Sequence, residues 1–270
     1  MPYANINGAK LWYTDTELGE STILFVHGLL MSGDMFAAQI AALTAEYRCI
    51  SLDLRGQGRS EISDTGYDMD SLAKDVVALI QHLKSGPCHF VGLSMGGFIG
   101  LRLAIHYPRL LLSLALLDTS ADPEPAASAR KYRIMAWIAR LLGIAPVIGR
   151  VMNIMFGKSF LADPGKQALR NSWKKHILDN SRSGLFRAAN GVIKRAGVYE
   201  QLGTIRCPTV VIVGDEDVAT PPSRARRMHE AISGSKLVTL TGAGHSSSIE
   251  QPEAVNLALR DFYSSLNPAA

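Results

Sequence analysis

A serine flanked by small residues, Gly92-Leu93-Ser94-Met95-Gly96, has the pattern of a nucleophile set on a sharp strand-to-helix turn. The turn is tight, so positions two before and two after the serine must be small, and Gly92, Gly96 and Gly97 meet that need. An apolar run at 89–91 precedes the motif and a helical pattern at 97–107 follows it, which is the context such an elbow requires. A serine hydroxyl attacks a carbonyl only when a base takes its proton, and the base needs an acid to fix its tautomer. His245 is the best base, because Thr241-Gly242-Ala243-Gly244-His245 is a glycine-rich loop directly after the last expected strand. Of the other histidines, His82, His106, His176 and His229 fall in expected helices, His89 lies on a strand, and His27 belongs to a separate motif. For the acid, Asp217 is preferred over its neighbours Asp215 and Glu216, since it sits at the turn four residues before Pro221; Asp118, after the strand ending at Leu117, competes.

Acyl transfer also needs fixed donors for the oxyanion. His27-Gly28-Leu29-Leu30 follows an apolar strand and reaches the same sheet edge as Ser94, so the backbone N–H groups of Leu29 and Met95 are the expected pair. The His27 side chain is read as holding this loop by hydrogen bonds. The histidines are scattered, and Cys49, Cys88 and Cys207 lack ligand or disulfide spacing, so no metal is expected. A nucleophilic serine with its own base, acid and oxyanion donors needs no organic cofactor, and none is expected.

These residues must be presented by a scaffold. Nearly continuous apolar runs at 23–26, 49–52, 89–92, 114–117, 209–213 and 236–240 suit parallel strands covered on both faces. Between them Leu72, Val76, Leu79 and Leu83 mark a one-sided helix, and further helices are expected over 36–46, 97–107, 223–232 and 252–266. Alternating strand and helix predict an α/β fold, a mostly parallel, doubly wound sheet flanked by helices. A chain of 270 residues with 47% hydrophobic and 19% charged residues can fill one large core, which excludes global disorder. The amino terminus has no secretory pattern, and no apolar run is long enough to span a bilayer, so a cytoplasmic protein without a membrane or nucleic-acid partner is expected.

The alternation fails at 121–205, where amphipathic helices fit better. This stretch also differs in charge. Residues 126–205 carry fourteen Lys and Arg but only Asp163, Asp179 and Glu200, a balance of +11 against −7 for the remainder. An inserted helical cap at 121–205 is therefore expected within a core built from 1–120 and 206–270. Its apolar residues Trp137, Leu141, Met152 and Phe156 are candidates to wall the site and receive an acyl chain.

The motifs together resemble the α/β-hydrolase fold superfamily over nearly the whole chain, in the group of small serine esterases, cofactor-free haloperoxidase-type enzymes, 3-oxoadipate enol-lactonases and acyl-homoserine lactonases. Besides His27-Gly28, Gly92 to Gly97, Asp217 and Gly244-His245, the stretch Asp53-Leu54-Arg55-Gly56-Gln57-Gly58-Arg59-Ser60 carries the likeness. The resemblance implies a structural role for that stretch and a cap inserted after the sixth strand. It also implies a carboxylesterase or lactonase that forms an acyl-enzyme on Ser94, its partner a small-molecule ester or lactone with an apolar acyl part. Relatives that open epoxides or displace halides carry aspartate at the elbow, so Ser94 argues against both. Carbon–carbon bond hydrolases and perhydrolases of the same fold are the enzymatic alternatives, and a small-molecule receptor is the non-enzymatic one.

Overall fold

The computed structural model describes residues 3–266. Eight strands form one sheet in the order β1-β2-β4-β3-β5-β6-β7-β8. They are β1 (Tyr3–Ile6), β2 (Ala9–Asp15), β3 (Ser21–Val26), β4 (Tyr47–Leu52), β5 (Cys88–Leu93), β6 (Leu111–Leu117), β7 (Thr209–Gly214) and β8 (Lys236–Leu240). β1 and β2 pair antiparallel, as do β2 and β4, and every other pair is parallel. The β1–β2 hairpin was absent from the sequence reading. Its signal is Asn7-Gly8, both at positive φ (45° and 76°), the dipeptide that a tight hairpin turn demands.

The central strands show why their apolar runs are continuous. Leu24 and Val26 of β3, Phe90 of β5 and Leu116 of β6 join the core on one face. Their neighbours Ile23, Phe25, Val91 and Leu117 join the core on the other. Alternate side chains point to opposite faces, and helices cover both.

The helices are α1 (Ala37–Leu43), α2 (Met69–His82), α3 (Met95–His106), α4 (Ala126–Leu142), α5 (Ile148–Met155), α6 (Lys158–Ala162), α7 (Gln167–Leu178), α8 (Arg182–Ile193), α9 (Pro222–Ala231), α10 (Ser247–Glu250) and α11 (Pro252–Ser264). α2, α3 and α9 supply the first core, α1 and α11 the second. Between β6 and β7 the chain is helical without a strand, α4 to α8, and Val151, Phe160, Ile177 and Leu185 of these helices continue the second core. Gly143 at φ 85° ends α4. Among the described residues no helix is long and apolar enough to cross a membrane.

The parallel strands put the residues after β3, β5, β6, β7 and β8 at one sheet edge, where ligands bind in open α/β sheets. One buried ion pair ties the loop after β4 to α2. Arg55 Nε and Nη2 each donate to Asp75 at 2.7 Å, and both side chains are almost wholly buried. Asp75→Ala strands the Arg55 charge and should lower unfolding free energy by about 3–5 kcal/mol, whereas Asp64→Ala, which removes a surface partner of Arg187, should cost at most about 1 kcal/mol. Urea unfolding checks both, and equal effects would contradict the assignment.

Candidate active site

Ser94 sits between the end of β5 and the start of α3 with φ 52° and ψ −110°. A non-glycine residue at positive φ is strained and persists only where its surroundings fix it. Here its N–H donates to Leu117 O at 2.9 Å, and Thr119 Oγ1 donates to its carbonyl at 2.8 Å. The glycines allow the approach. A Cβ on Gly96 would lie 2.0 Å from Val26 O, and one on Gly92 would lie 2.4 Å from Gly96 O. These positions admit no larger residue, which is the reason for the motif's spacing.

The structure brings together Ser94, His245 and Asp217. Ser94 Oγ lies 2.8 Å from His245 Nε2, and His245 Nδ1 lies 2.9 Å from Asp217 Oδ2. Asp217 is held in turn by the N–H groups of Ala219 (2.8 Å) and Thr220 (2.9 Å) and by the Thr220 hydroxyl (2.7 Å). Burial disfavours the imidazolium of His245, but the Asp217 charge and hydrogen bond outweigh it and raise the pKa above the ordinary value of 6.5. Burial works against the Asp217 carboxylate as well, and the His245 and Thr220 contacts leave its pKa lowered.

Asp118 is not joined to His245. Its Oδ1 accepts from Gly214 N–H at 2.9 Å and its Oδ2 from Ser247 N–H at 3.2 Å. Burial, reinforced by the nearby Asp217 charge, pushes its pKa up to about 8. It stitches β7 and α10 to the end of β6 behind Asp217 and His245.

Among the described residues, neither the Leu29 nor the Met95 N–H donates a hydrogen bond, so both amides are free at the sheet edge beside Ser94. The Leu29 loop is braced from below. His27 Nε2 accepts from Leu54 N–H at 2.9 Å, which leaves Nδ1 to donate to Gly28 O at 2.7 Å. Gln57 Oε1 accepts from Leu30 N–H and Asp53 Oδ1 from Gly33 N–H, at 2.8 and 2.7 Å. The stretch 53–60 thus positions the loop.

The sequence reading missed Glu250. This buried carboxylate accepts from the N–H groups of Gly157 (2.8 Å), Gly244 (3.0 Å) and Ser246 (Oε1, 3.0 Å), clamping the His245 loop to the segment before α6. Glu216 adds a second clasp, through the N–H and hydroxyl of Ser159. The available signal was a lone acid among Ser246, Ser247, Ser248 and Ile249, a stretch without other charge.

Ser94 and His245 open on a cavity of about 130 Å³ with walls that are mostly apolar. The wall expected from Trp137, Leu141, Met152 and Phe156 is not the one found. Tyr132, Met135, Ala136 and Ala139 of α4 face the cavity at i, i+3, i+4 and i+7. Trp137 and Leu141 lie on the other side of that helix, 50% and 66% exposed, with Trp137 against Phe186. From α5 the lining residues are Val151, Ile154 and Met155, while Met152 and Phe156 are buried in the core, Phe156 stacked on Phe160. Both helices carry apolar residues on more than one face, so composition alone did not identify the inward one. Among the described residues no three His, Cys, Asp or Glu side chains cluster as a metal site needs.

A family model described as alpha/beta hydrolase fold matches residues 21–252, and the chain belongs to that family. It is 30% identical over 237 residues to 3-oxoadipate enol-lactonase 2 of Acinetobacter baylyi, covering 88% of this chain and 86% of the relative. Two solved structures superpose with a TM-score of 0.90. One is a thermophilic esterase from Thermogutta terrifontis, 29% identical, with 98% of both chains covered. The other is the enol-lactonase from Burkholderia xenovorans, 27% identical, covering 97% of this chain and 100% of that one.

If Asp217 orients the base, Asp217→Asn should lower kcat by about 10³- to 10⁴-fold, and Asp118→Asn by far less. Because His245 must be neutral to take a proton, kcat/KM should fall as pH drops, with an acid limb above 6.5 that moves to lower pH in Asp217→Asn. pH–rate profiles of the three proteins test this; the reverse order of the two variants would assign the acid to Asp118.

Proposed function

We propose that this protein is a serine hydrolase of carboxylic esters or lactones whose acyl part is apolar. The observation that carries this reading is the unbroken hydrogen-bonded line Ser94–His245–Asp217 at the wall of an apolar cavity. The likeness to enol-lactonases and an esterase supports the bond type.

In the first half-reaction His245 Nε2 takes the Ser94 proton as Oγ attacks the carbonyl. The negative charge that forms on the carbonyl oxygen is met by the Leu29 and Met95 amides, with the N-terminus of α3 adding its dipole. Asp217 stabilises the imidazolium, which then protonates the departing alkoxide. In a lactone that alkoxide remains tethered to the acyl group. Water, deprotonated by His245, attacks the acyl-enzyme, and collapse of the second tetrahedral intermediate returns Ser94 and releases the acid. No metal or organic cofactor has a step in this sequence.

The helices at 121–205 serve in this reading as a cap, fastened to the His245 loop by Glu250 and to the Asp217 loop by Glu216. The width of the cavity beneath them is set by the small residues Ala136, Ala139 and Ala189. Each buried methylene contributes roughly 0.8 kcal/mol, so kcat/KM should rise about fourfold per added carbon until the cavity is filled. Ser94→Ala should leave the fold intact and reduce kcat on the order of 10³- to 10⁶-fold. Ala136→Phe should move the optimum to shorter chains. A flat profile from acetyl to octanoyl in the native protein would refute the acyl pocket, and near-normal turnover by Ser94→Ala would refute the nucleophile.

A further inference from the structure

One carboxylate stands in the apolar wall of the cavity. Glu124 lines it together with Tyr132, Phe98 and Val192. It lies between Pro123 and Pro125, whose rings restrict the backbone, so its position is set before any ligand enters. Its Oε2 accepts from Arg195 Nη1 at 2.8 Å, and both side chains are more than nine-tenths buried. Arg195 is anchored as well: Nη1 also donates to Val192 O at 2.9 Å, Nε to Asp122 O at 3.2 Å, and the guanidinium lies 4.1 Å from the Phe98 ring centre.

This pair is only half used. Among the described residues Glu124 Oε1 accepts no hydrogen bond, and the Tyr132 hydroxyl makes none. A carboxylate can accept about four hydrogen bonds, and leaving that capacity empty beside apolar walls is costly. A second carboxylate on a ligand would meet an acceptor where it needs a donor. A hydroxyl or an amide N–H would be met correctly, and Tyr132 could complete the polar surroundings. A plain hydrocarbon chain would cover Oε1 with nothing to donate.

We propose that Glu124, held by Arg195 and flanked by Tyr132, is a specificity subsite that accepts a hydrogen bond from a hydroxyl or amide N–H on the substrate's chain. The substrate is then an ester or lactone bearing such a donor, and this deepens the reading of Ser94 as nucleophile on which its kinetic test rests.

The test uses 4-nitrophenyl esters of C3 to C8 acids substituted at each position with hydroxyl or acylamino groups, each paired with its O-methyl or N-methyl counterpart. At one position the native protein should prefer the donor over its methylated control by about tenfold or more in kcat/KM. Whichever pair shows the preference identifies the donor. In Glu124→Leu/Arg195→Met, which replaces the whole ion pair with apolar groups, the ratio should fall to about one. Glu124→Gln should reduce it and serves if the double variant does not fold. A purely structural pair would change both members of each couple equally and leave the ratio intact.

Calorimetry on Ser94→Ala reads the subsite without chemistry. If esters are not turned over yet Ser94→Ala binds the donor-bearing member more tightly, the nucleophile reading falls and the subsite stands. Equal binding of both members at every position, or a ratio unchanged in the Glu124 variants, would overturn the subsite.

Discussion

The site depends on a steric constraint, the close approach of α3 to the end of the strand before it. Ser94 is held at φ 52° because the backbone must reverse within one residue, and Gly92, Gly96 and Gly97, where any Cβ would clash, permit that close approach. That reversal lifts the hydroxyl clear of the sheet and frees the Met95 amide at the start of α3. Everything else at the site is arranged around this fixed point: the Leu29 loop comes off β3, Asp217 off the end of β7 and His245 off the end of β8.

Those three loops have no regular structure of their own, so they are positioned by buried carboxylates and backbone amides. Asp217 is held by Ala219 and Thr220, Asp118 joins Gly214 to Ser247, Glu250 collects Gly157, Gly244 and Ser246, and Asp53 supports Gly33. Each acid satisfies amides that would otherwise be unpaired in the interior. The role of each depends on its partner. Of the two aspartates only Asp217 reaches the imidazole, and its contact raises the pKa of His245 while its own is lowered; Asp118, buried among amides and crowded by Asp217, has its pKa pushed up instead.

The parts of this arrangement that were legible in the sequence are those fixed by local chemistry. Continuous apolar runs identified the six parallel strands, and glycine spacing identified Ser94. The loop positions of Asp217 and His245 followed from where those strands end. The β1–β2 hairpin was missed because its strands alternate and lie at the sheet edge, although Asn7-Gly8 marked the turn. Trp137 and Leu141 were misplaced because α4 is apolar on two sides, and only its packing against α8 over the cavity decides that Ala136 and Ala139 face inward. Glu250 and Glu124 were invisible for a related reason, since a single acid in a sequence does not say which distant amide or guanidinium it will meet.

In the proposed reaction Ser94 carries the acyl group between two half-reactions. The most direct measurement is acid-quenched mass spectrometry during the first turnover of a 4-nitrophenyl alkanoate. One acyl group per protein, mapped to the peptide containing Ser94 and formed at the rate of the nitrophenol burst, is the expected result. Steady hydrolysis with no acylated peptide and no burst, and no modification of Ser94 by a 4-nitrophenyl dialkylcarbamate, whose carbamoyl-enzyme deacylates slowly, would contradict it.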